Sequence, residues 1–166
     1  MRRKLRSNMV DSSIFIEAWD NTPVSGDCKL ILDGAENGIF LGHVSTIILG
    51  EIMKKLLKLR ADERESYRYD EIYNKIILSL MNFRILYICE DTVKSYPSDI
   101  RGGEQSQDKL NLSCAIKHNC NMFIMKDSAF STNGKTPTKI IQITDKQNPK
   151  LRRLLDEIKT FNPTNG

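Results

Sequence analysis

Two aspartates of this 166-residue chain follow short apolar segments, and this arrangement can bind a metal ion. Asp11 follows the segment SNMV, and Asp127 follows the segment NMFIMK. Both segments are candidate strands, and the carboxyl ends of parallel strands lie at one edge of a sheet, where such folds place ligands. Each aspartate could instead be an ordinary turn or helix-capping residue. Taken together, they favour a carboxylate site at that edge.

Two further carboxylates lie on candidate helices. Asp108 is in the first turn of SQDKLNLSCAIKH, where the helix dipole favours a negative charge, but it also heads an apolar stripe that includes Leu112 and Ile116. A charge on the apolar side of a helix needs a partner, and a cation is one. Glu51 lies off the apolar stripe of its helix and could form an i,i+4 surface pair with Lys55. Spacing alone therefore favours a surface position for Glu51.

The elements that must position these residues alternate between strands and helices. The segments NMV, FLGHV, RILYI, NMFIM and KIIQI predict strands. Helices are predicted for TIILGEIMKKLLKL, which Ser45 or Thr46 caps, for ADERESYRYDEIYNKIILSLMNF and for PKLRRLLDEIKTF. This alternation predicts an α/β fold with a mainly parallel sheet of four to five strands and helices on both faces.

The composition fits one ordinary globular domain. Apolar residues make up 40% and charged residues 28% of the chain, and the net charge of +4 permits a nucleic-acid partner without requiring one. We expect a single domain over residues 1–160, with residues 1–6 and 161–166 disordered. The basic start is not followed by the apolar segment of a signal peptide, and no apolar segment approaches a membrane span of about 20 residues. We therefore expect a cytoplasmic protein.

Three segments, NMVDSSIFIEAW, VSTIILGEIMKKL and QDKLNLSCAIKHNCNMFIMKDSAF, resemble in this order the signature segments of the PIN-domain ribonucleases, most of all the VapC type of toxin nuclease. The resemblance implies a PIN-like three-layer α/β/α sandwich. The four acids that bind metal and serve catalysis in that family fall here on Asp11, Glu51, Asp108 and Asp127. Ser13 matches the hydroxyl or amide residue that supports the first aspartate.

The resemblance also implies a metal-dependent endoribonuclease that cleaves RNA phosphodiesters with a metal-activated water. An oxygen-only ligand set selects Mg²⁺ or Mn²⁺. Arg101, Lys109 and Lys126 neighbour the proposed ligands in sequence and are candidates for binding RNA, although ordinary solvated side chains explain them equally well. Ala129 stands where many relatives carry a further acid, which leaves a fifth ligand and a second metal open.

Likeness to the toxin branch implies an antitoxin protein as a partner and a homodimer formed by helices of the first half. The segments IILGEIMKKLLKL and IILSLMNF carry more apolar residues than one core-facing side needs, which fits either a partner or a core on two sides. Two alternatives within the family are a nuclease of RNA maturation or decay and a binding module that no longer cleaves. The complete acid quartet argues against the inactive module, because four mutually repelling groups would then have no use.

Overall fold

A computed structural model describes the chain at residues 5–94, 106–126 and 136–161. Five strands lie in these ranges: β1 (Arg6–Val10), β2 (Phe40–Ser45), β3 (Phe83–Leu86), β4 (Met122–Met125) and β5 (Lys139–Gln142). They form one sheet in the order β3-β2-β1-β4-β5. Every neighbouring pair is parallel, which confirms the α/β class and the parallel sheet predicted from the sequence.

Seven α-helices lie in the same described ranges: α1 (Ser12–Glu17), α2 (Ser25–Glu36), α3 (Thr46–Ala61), α4 (Tyr69–Leu80), α5 (Glu90–Lys94), α6 (Ser106–Lys117) and α7 (Pro149–Phe161). A short 3₁₀ helix (Ser66–Arg68) precedes α4. None of the helices in this part of the chain is long and apolar enough to span a membrane.

The burial of the strands shows that helices cover both faces of the sheet. All four residues of β4 are buried, and five of the six residues of β2 are buried. Successive strand residues point to opposite faces, so a fully buried strand needs cover on both sides. The architecture is therefore the three-layer α/β/α sandwich.

Three strands end at the carboxyl edge of the sheet, and the segments that carry the predicted site residues begin there. Strand β1 lies between β2 and β4, and Val10 of β1 aligns with Ile124 of β4. Asp11 follows β1, α3 follows β2, and Lys126 follows β4. Parallel pairing thus brings segments more than 100 positions apart to one edge.

One predicted helix is shorter than its sequence pattern indicates. The charged start of ADERESYRYDEIYNKIILSLMNF is not helical as a whole, since α3 continues to Ala61 and α4 begins only at Tyr69. The Asp62 side chain accepts a hydrogen bond from the backbone N–H of Arg64 (2.9 Å), and the Asp62 carbonyl accepts bonds from Glu65 and Ser66. Such a local side-chain bond favours a turn over a continuous helix.

The two chain ends are ordered further out than we expected. Arg6, which was predicted to be disordered, begins β1 and forms an ion pair with Glu157 of α7 (2.8 Å). Phe161 is the last residue of α7. Residues 1–4 and 162–166 lie outside the described residues.

Candidate active site

Asp11 is the most constrained carboxylate at the carboxyl edge. It caps α1, and its Oδ2 accepts hydrogen bonds from the backbone N–H of Ser13 (3.0 Å) and from the Ser13 hydroxyl (2.5 Å). Its backbone N–H donates to the carbonyl of Ile124 in β4 (2.8 Å). The residue is 7% exposed, and its Oδ1 is buried without a hydrogen-bond partner among the described residues. A buried carboxylate oxygen of this kind is costly unless a cation or a donor binds it.

Ser13 links Asp11 to the end of β4. Its Oγ donates to Asp11 and accepts a hydrogen bond from the backbone N–H of Lys126 (3.1 Å). The role expected for Ser13 was support of the first aspartate, and these contacts are consistent with it. Lys126 directly precedes Asp127, which itself lies outside the described residues.

Glu51 lies on α3 and faces the start of α1 rather than open solvent. The Ser12 hydroxyl donates to Glu51 Oε2 (2.8 Å), and the glutamate is half-buried. Burial raises the pKa of Glu51 above its usual value; the Ser12 hydrogen bond opposes this shift, and the charge of Asp11 adds to it. Among the described ion pairs there is none between Glu51 and Lys55. Glu51 therefore does not form the solvated surface pair with Lys55 that spacing favoured.

A cleft of about 650 Å³ joins these groups to Asp108, which is on the first turn of α6 and half-buried. The cleft is lined by Asp11, Ser12, Ser13, Ile47, Gly50, Glu51, Lys54, Lys55, Lys58, Gln107, Asp108 and Met125. Three of the four predicted acids thus line one cleft. In the three described ranges, however, no group of three His, Cys, Asp or Glu side chains is arranged to hold a metal ion by itself.

The helices that carry Glu51 and Asp108 are joined by a buried hydrogen bond that sequence reasoning missed. Ser45 caps α3 by accepting from the backbone N–H of Ile48 (3.1 Å), and its hydroxyl donates to Asn111 Oδ1 of α6 (2.5 Å). Both side chains are fully buried. The signal in the sequence was the amide side chain of Asn111, which stands between two leucines close to Asp108.

The structure describes two of the three residues predicted to bind RNA, and these two have different surroundings. Lys126 forms an ion pair with Glu17 of α1 (2.6 Å), and that bond and the Lys126 charge lower the pKa of Glu17 against the opposing effect of burial. Lys109 is half-buried and is not one of the described residues that line the cleft, and Arg101 lies outside the described residues.

Three lysines of α3 line the cleft instead, and sequence reasoning missed them as a group. Lys54, Lys55 and Lys58 follow Glu51 by three, four and seven positions, a spacing that keeps them on its side of the helix. The segment EIMKKLLK contains this spacing of lysines, but only the pair of Glu51 and Lys55 was considered in it.

Comparisons with known proteins bear on the fold and the family. A model of the PIN domain matches residues 9–135. The structure is similar to the crystal structure of VapBC2 from Rickettsia felis bound to a DNA fragment from their promoter, with a TM-score of 0.50 and 19% sequence identity. That similarity covers 73% of this chain and 87% of the other, and at this identity it concerns the fold alone. Comparison with curated proteins gives no match.

Proposed function

The chain belongs to the PIN domain family, and on this premise we propose that it is a metal-dependent endoribonuclease. The observation that carries the proposal is the buried Asp11 Oδ1, which has no partner among the described residues and belongs to a carboxylate that lines one cleft with Glu51 and Asp108. This arrangement is expensive for a protein without a bound cation, because each ionised group repels the others.

The residues present fit a hard divalent ion. Asp11, Glu51 and Asp108 offer only carboxylate oxygens, which suit Mg²⁺ or Mn²⁺, and we propose that Asp127 supplies the fourth. Chain connectivity supports its inclusion, because the backbone of the preceding residue, Lys126, is bonded through Ser13 to Asp11. When bound, such an ion supplies an activated water and neutralises charge on the phosphodiester.

The protein's own groups prepare the site for that ion. The two hydrogen bonds from Ser13 fix the Oδ2 of Asp11, which leaves Oδ1 as the oxygen available to a ligand. The Ser12 hydroxyl stabilises the ionised form of Glu51, whose pKa burial raises. Activity should consequently fall on the acidic side, as Glu51 takes up a proton and ceases to be a ligand.

The first experiment is incubation of the purified protein with mixed RNA in manganese, in magnesium and in EDTA. We expect cleavage of single-stranded or loop RNA only with a divalent ion, and products with 5′-phosphate and 3′-hydroxyl ends. A cyclic 2′,3′-phosphate product would mean attack by the hydroxyl of the RNA itself and would contradict the mechanism. No cleavage of any RNA under these conditions would favour the inactive binding module.

The contribution of individual acids is tested by isosteric substitution. Asp11→Asn and Asp127→Asn keep the shape of the side chain and remove its charge, so each should greatly lower the cleavage rate while the protein stays folded. Asp127→Asn should also raise thermal stability in metal-free buffer, because it relieves repulsion among the carboxylates. A fully active Asp127→Asn variant would show that this residue is a turn residue and not a ligand.

We further propose a homodimer that takes up an antitoxin, with this chain as the toxin. Support comes from apolar side chains left exposed on the two helices named from the sequence: Met53 and Leu57 on α3 are 41% and 57% exposed, and Leu78 of α4 and the adjoining Met81 are 64% and 77% exposed. Such exposed apolar groups fit an interface. A monomer in light scattering at micromolar concentration would count against the dimer.

The toxin role is tested in cells. Expression of the chain alone should arrest growth, and co-expression of a small protein from a neighbouring reading frame should relieve the arrest. Unimpaired growth with an enzyme that cleaves RNA in vitro would favour the alternative, a nuclease of RNA maturation or decay.

A further inference from the structure

The three lysines of α3, Lys54, Lys55 and Lys58, form a row of positive charge beside the acidic cleft. All three side chains are exposed. None of them forms an ion pair with an acid among the residues that the structure describes. An anionic substrate approaching a cleft of carboxylates needs compensating cations, and this row lies directly along one wall of the cleft.

The row also leads to a second cavity. Lys55 and Lys58 line both the acidic cleft and a neighbouring cavity of about 370 Å³. The apolar wall of this cavity includes Ile16, Leu59 and Trp19, which is the only tryptophan of the chain. Its volume lies within the range of small-ligand pockets.

The charges at the mouth of this second cavity are largely balanced. Arg68 forms an ion pair with Glu65 (2.9 Å) and lies 3.9 Å from Asp20, and all three line the cavity. The remaining charged residues are Asp62 and the two lysines that also line the acidic cleft, Lys55 and Lys58. A cavity with an aromatic, apolar wall and two lysines of the row in its lining matches a nucleotide, which has a flat base on an anionic backbone.

We propose that single-stranded RNA leaving the cleft runs along Lys54, Lys55 and Lys58, which bind its phosphates, and that one of its bases enters the cavity beside Trp19. This proposal rests on the proposed endoribonuclease function and names how that site holds its substrate. Proteins that bind single strands commonly combine a basic track with an aromatic side chain on which a base stacks.

The lysine row is tested by a pair of matched double variants. Lys55→Gln/Lys58→Gln removes two charges from the row, and Lys150→Gln/Lys159→Gln removes two charges from exposed positions of α7, which does not line the cleft. Binding of a single-stranded RNA oligonucleotide is measured by fluorescence anisotropy. The buffer contains Ca²⁺ at mildly alkaline pH, and the salt concentration is varied in a series. Thermal melting confirms that both variants are folded.

We expect weaker binding by the row variant and a shallower dependence of log K on log salt, by about 1.4, since each lost phosphate contact lowers the slope by about 0.7 for a single strand. The α7 variant should keep the parent slope. Equal slopes for the two double variants would overturn the lysine row.

The end of the path is tested by the fluorescence of Trp19, which reports on its own surroundings because the chain has no other tryptophan. The same oligonucleotide should quench this emission, with a midpoint equal to that of the anisotropy titration. Saturation in anisotropy with unchanged emission would overturn the base site.

The failure of this path differs from the failure of the proposed function. If the parent cleaves RNA but Lys55→Gln/Lys58→Gln binds and cleaves like the α7 control, the path is wrong and the endoribonuclease stands. If the parent neither cleaves nor binds RNA, both are wrong.

Discussion

Replacement of Ser13 by alanine tests how far one hydroxyl holds the carboxyl edge of the sheet together. The Ser13 Oγ donates to Asp11 Oδ2 (2.5 Å) and accepts from the backbone N–H of Lys126 (3.1 Å). Alanine keeps the backbone N–H of residue 13, so the cap bond to Asp11 (3.0 Å) is retained. The substitution therefore removes only the two bonds of the hydroxyl.

The expected loss follows from these two bonds. A hydrogen bond to a charged group contributes about 1.5–3 kcal/mol, and a buried N–H left without an acceptor costs about 1–3 kcal/mol. Because Ser13 is only partly buried and water can replace some of each bond, we take the lower ends, which together give about 2.5 kcal/mol. For a chain of this size that corresponds to a fall in melting temperature of about 5–10 °C.

Ser12→Ala is the matched control, since it removes a hydroxyl from the adjacent position. The Ser12 hydroxyl makes one bond, to Oε2 of the half-buried Glu51. We expect a loss of about 1.5 kcal/mol for this variant, the lower end for a hydrogen bond to a charged group. Urea denaturation in EDTA, followed by circular dichroism, measures both values without a contribution from metal binding.

The reasoning would be refuted by equal losses for Ser12→Ala and Ser13→Ala, or by a loss below about 1 kcal/mol for Ser13→Ala. Either result would mean that the Ser13 hydroxyl does not join Asp11 to the end of β4 in solution. A confirmed loss should be accompanied by metal affinity lowered about 10–100-fold, as is typical when a residue that orients a ligand is removed.

Three further predictions concern other parts of the molecule. Burial raises the pKa of Glu51, so the stability gained from its protonated form is present at acidic pH and is lost as the pH rises through the folded-state pKa. Glu51→Gln should abolish cleavage, but in metal-free urea denaturation it should be more stable than the parent near neutral pH and about as stable as the parent at acidic pH. A gain in stability at acidic pH and none near neutral pH would contradict this. Cys89 should be alkylated first, as judged by peptide mass spectrometry, because it alone of the four cysteines is exposed and hydrogen bonds from Thr92 lower its pKa; burial raises the pKa of the others, to about 12 for Cys28 and Cys114 and about 11 for Cys120. Gly42→Ala would place a Cβ 2.6 Å from the Phe83 ring and should destabilise the fold by about 1–3 kcal/mol in the same denaturation assay, whereas Gly26→Ala, with nothing within 4 Å, should be neutral or slightly stabilising.

The sheet and the position of Asp11 could be predicted because their signals are local. Short apolar segments separated by helices leave few arrangements other than a parallel sheet, and a residue that ends the central strand must then lie at its carboxyl edge. Asp11 satisfies this rule, and its cap bonds are those expected of an aspartate at a helix start.

The spacing of α3 could not place Glu51 in the site, because its position depends on a second packing partner; only the family resemblance indicated it. The wheel of α3 shows one apolar stripe through Ile48 and Ile52, and Glu51 lies off it. The helix packs against α1 as well as against the sheet, so a residue outside the stripe is half-buried beside Ser12. Whether that side of α3 is buried or exposed to solvent depends on how α1 and α3 are placed relative to each other.

The basic wall of the cleft was missed for the same reason. Arg101, Lys109 and Lys126 were chosen because they neighbour the acids in sequence, but Lys126 is paired with Glu17, across 109 positions of the chain. The lysines that do line the cleft neighbour Glu51 on its helix, where Lys55 had been read as its surface partner. Asp127 and Arg101 lie outside the described residues, so their roles stay predictions.

The order in which the sheet is assembled has a consequence for synthesis of the chain. The hydrogen bond between Ser13 and Lys126 spans 113 positions, and β4 pairs directly with the central strand β1. A ribosome that has made α1 and α3 has therefore produced Asp11 and Glu51 but not the strand that fixes the Asp11 side of the cleft. Contacts this distant in sequence form only after the late segment has emerged. The carboxylate cleft is therefore completed only after β4 has been synthesised and has paired with β1.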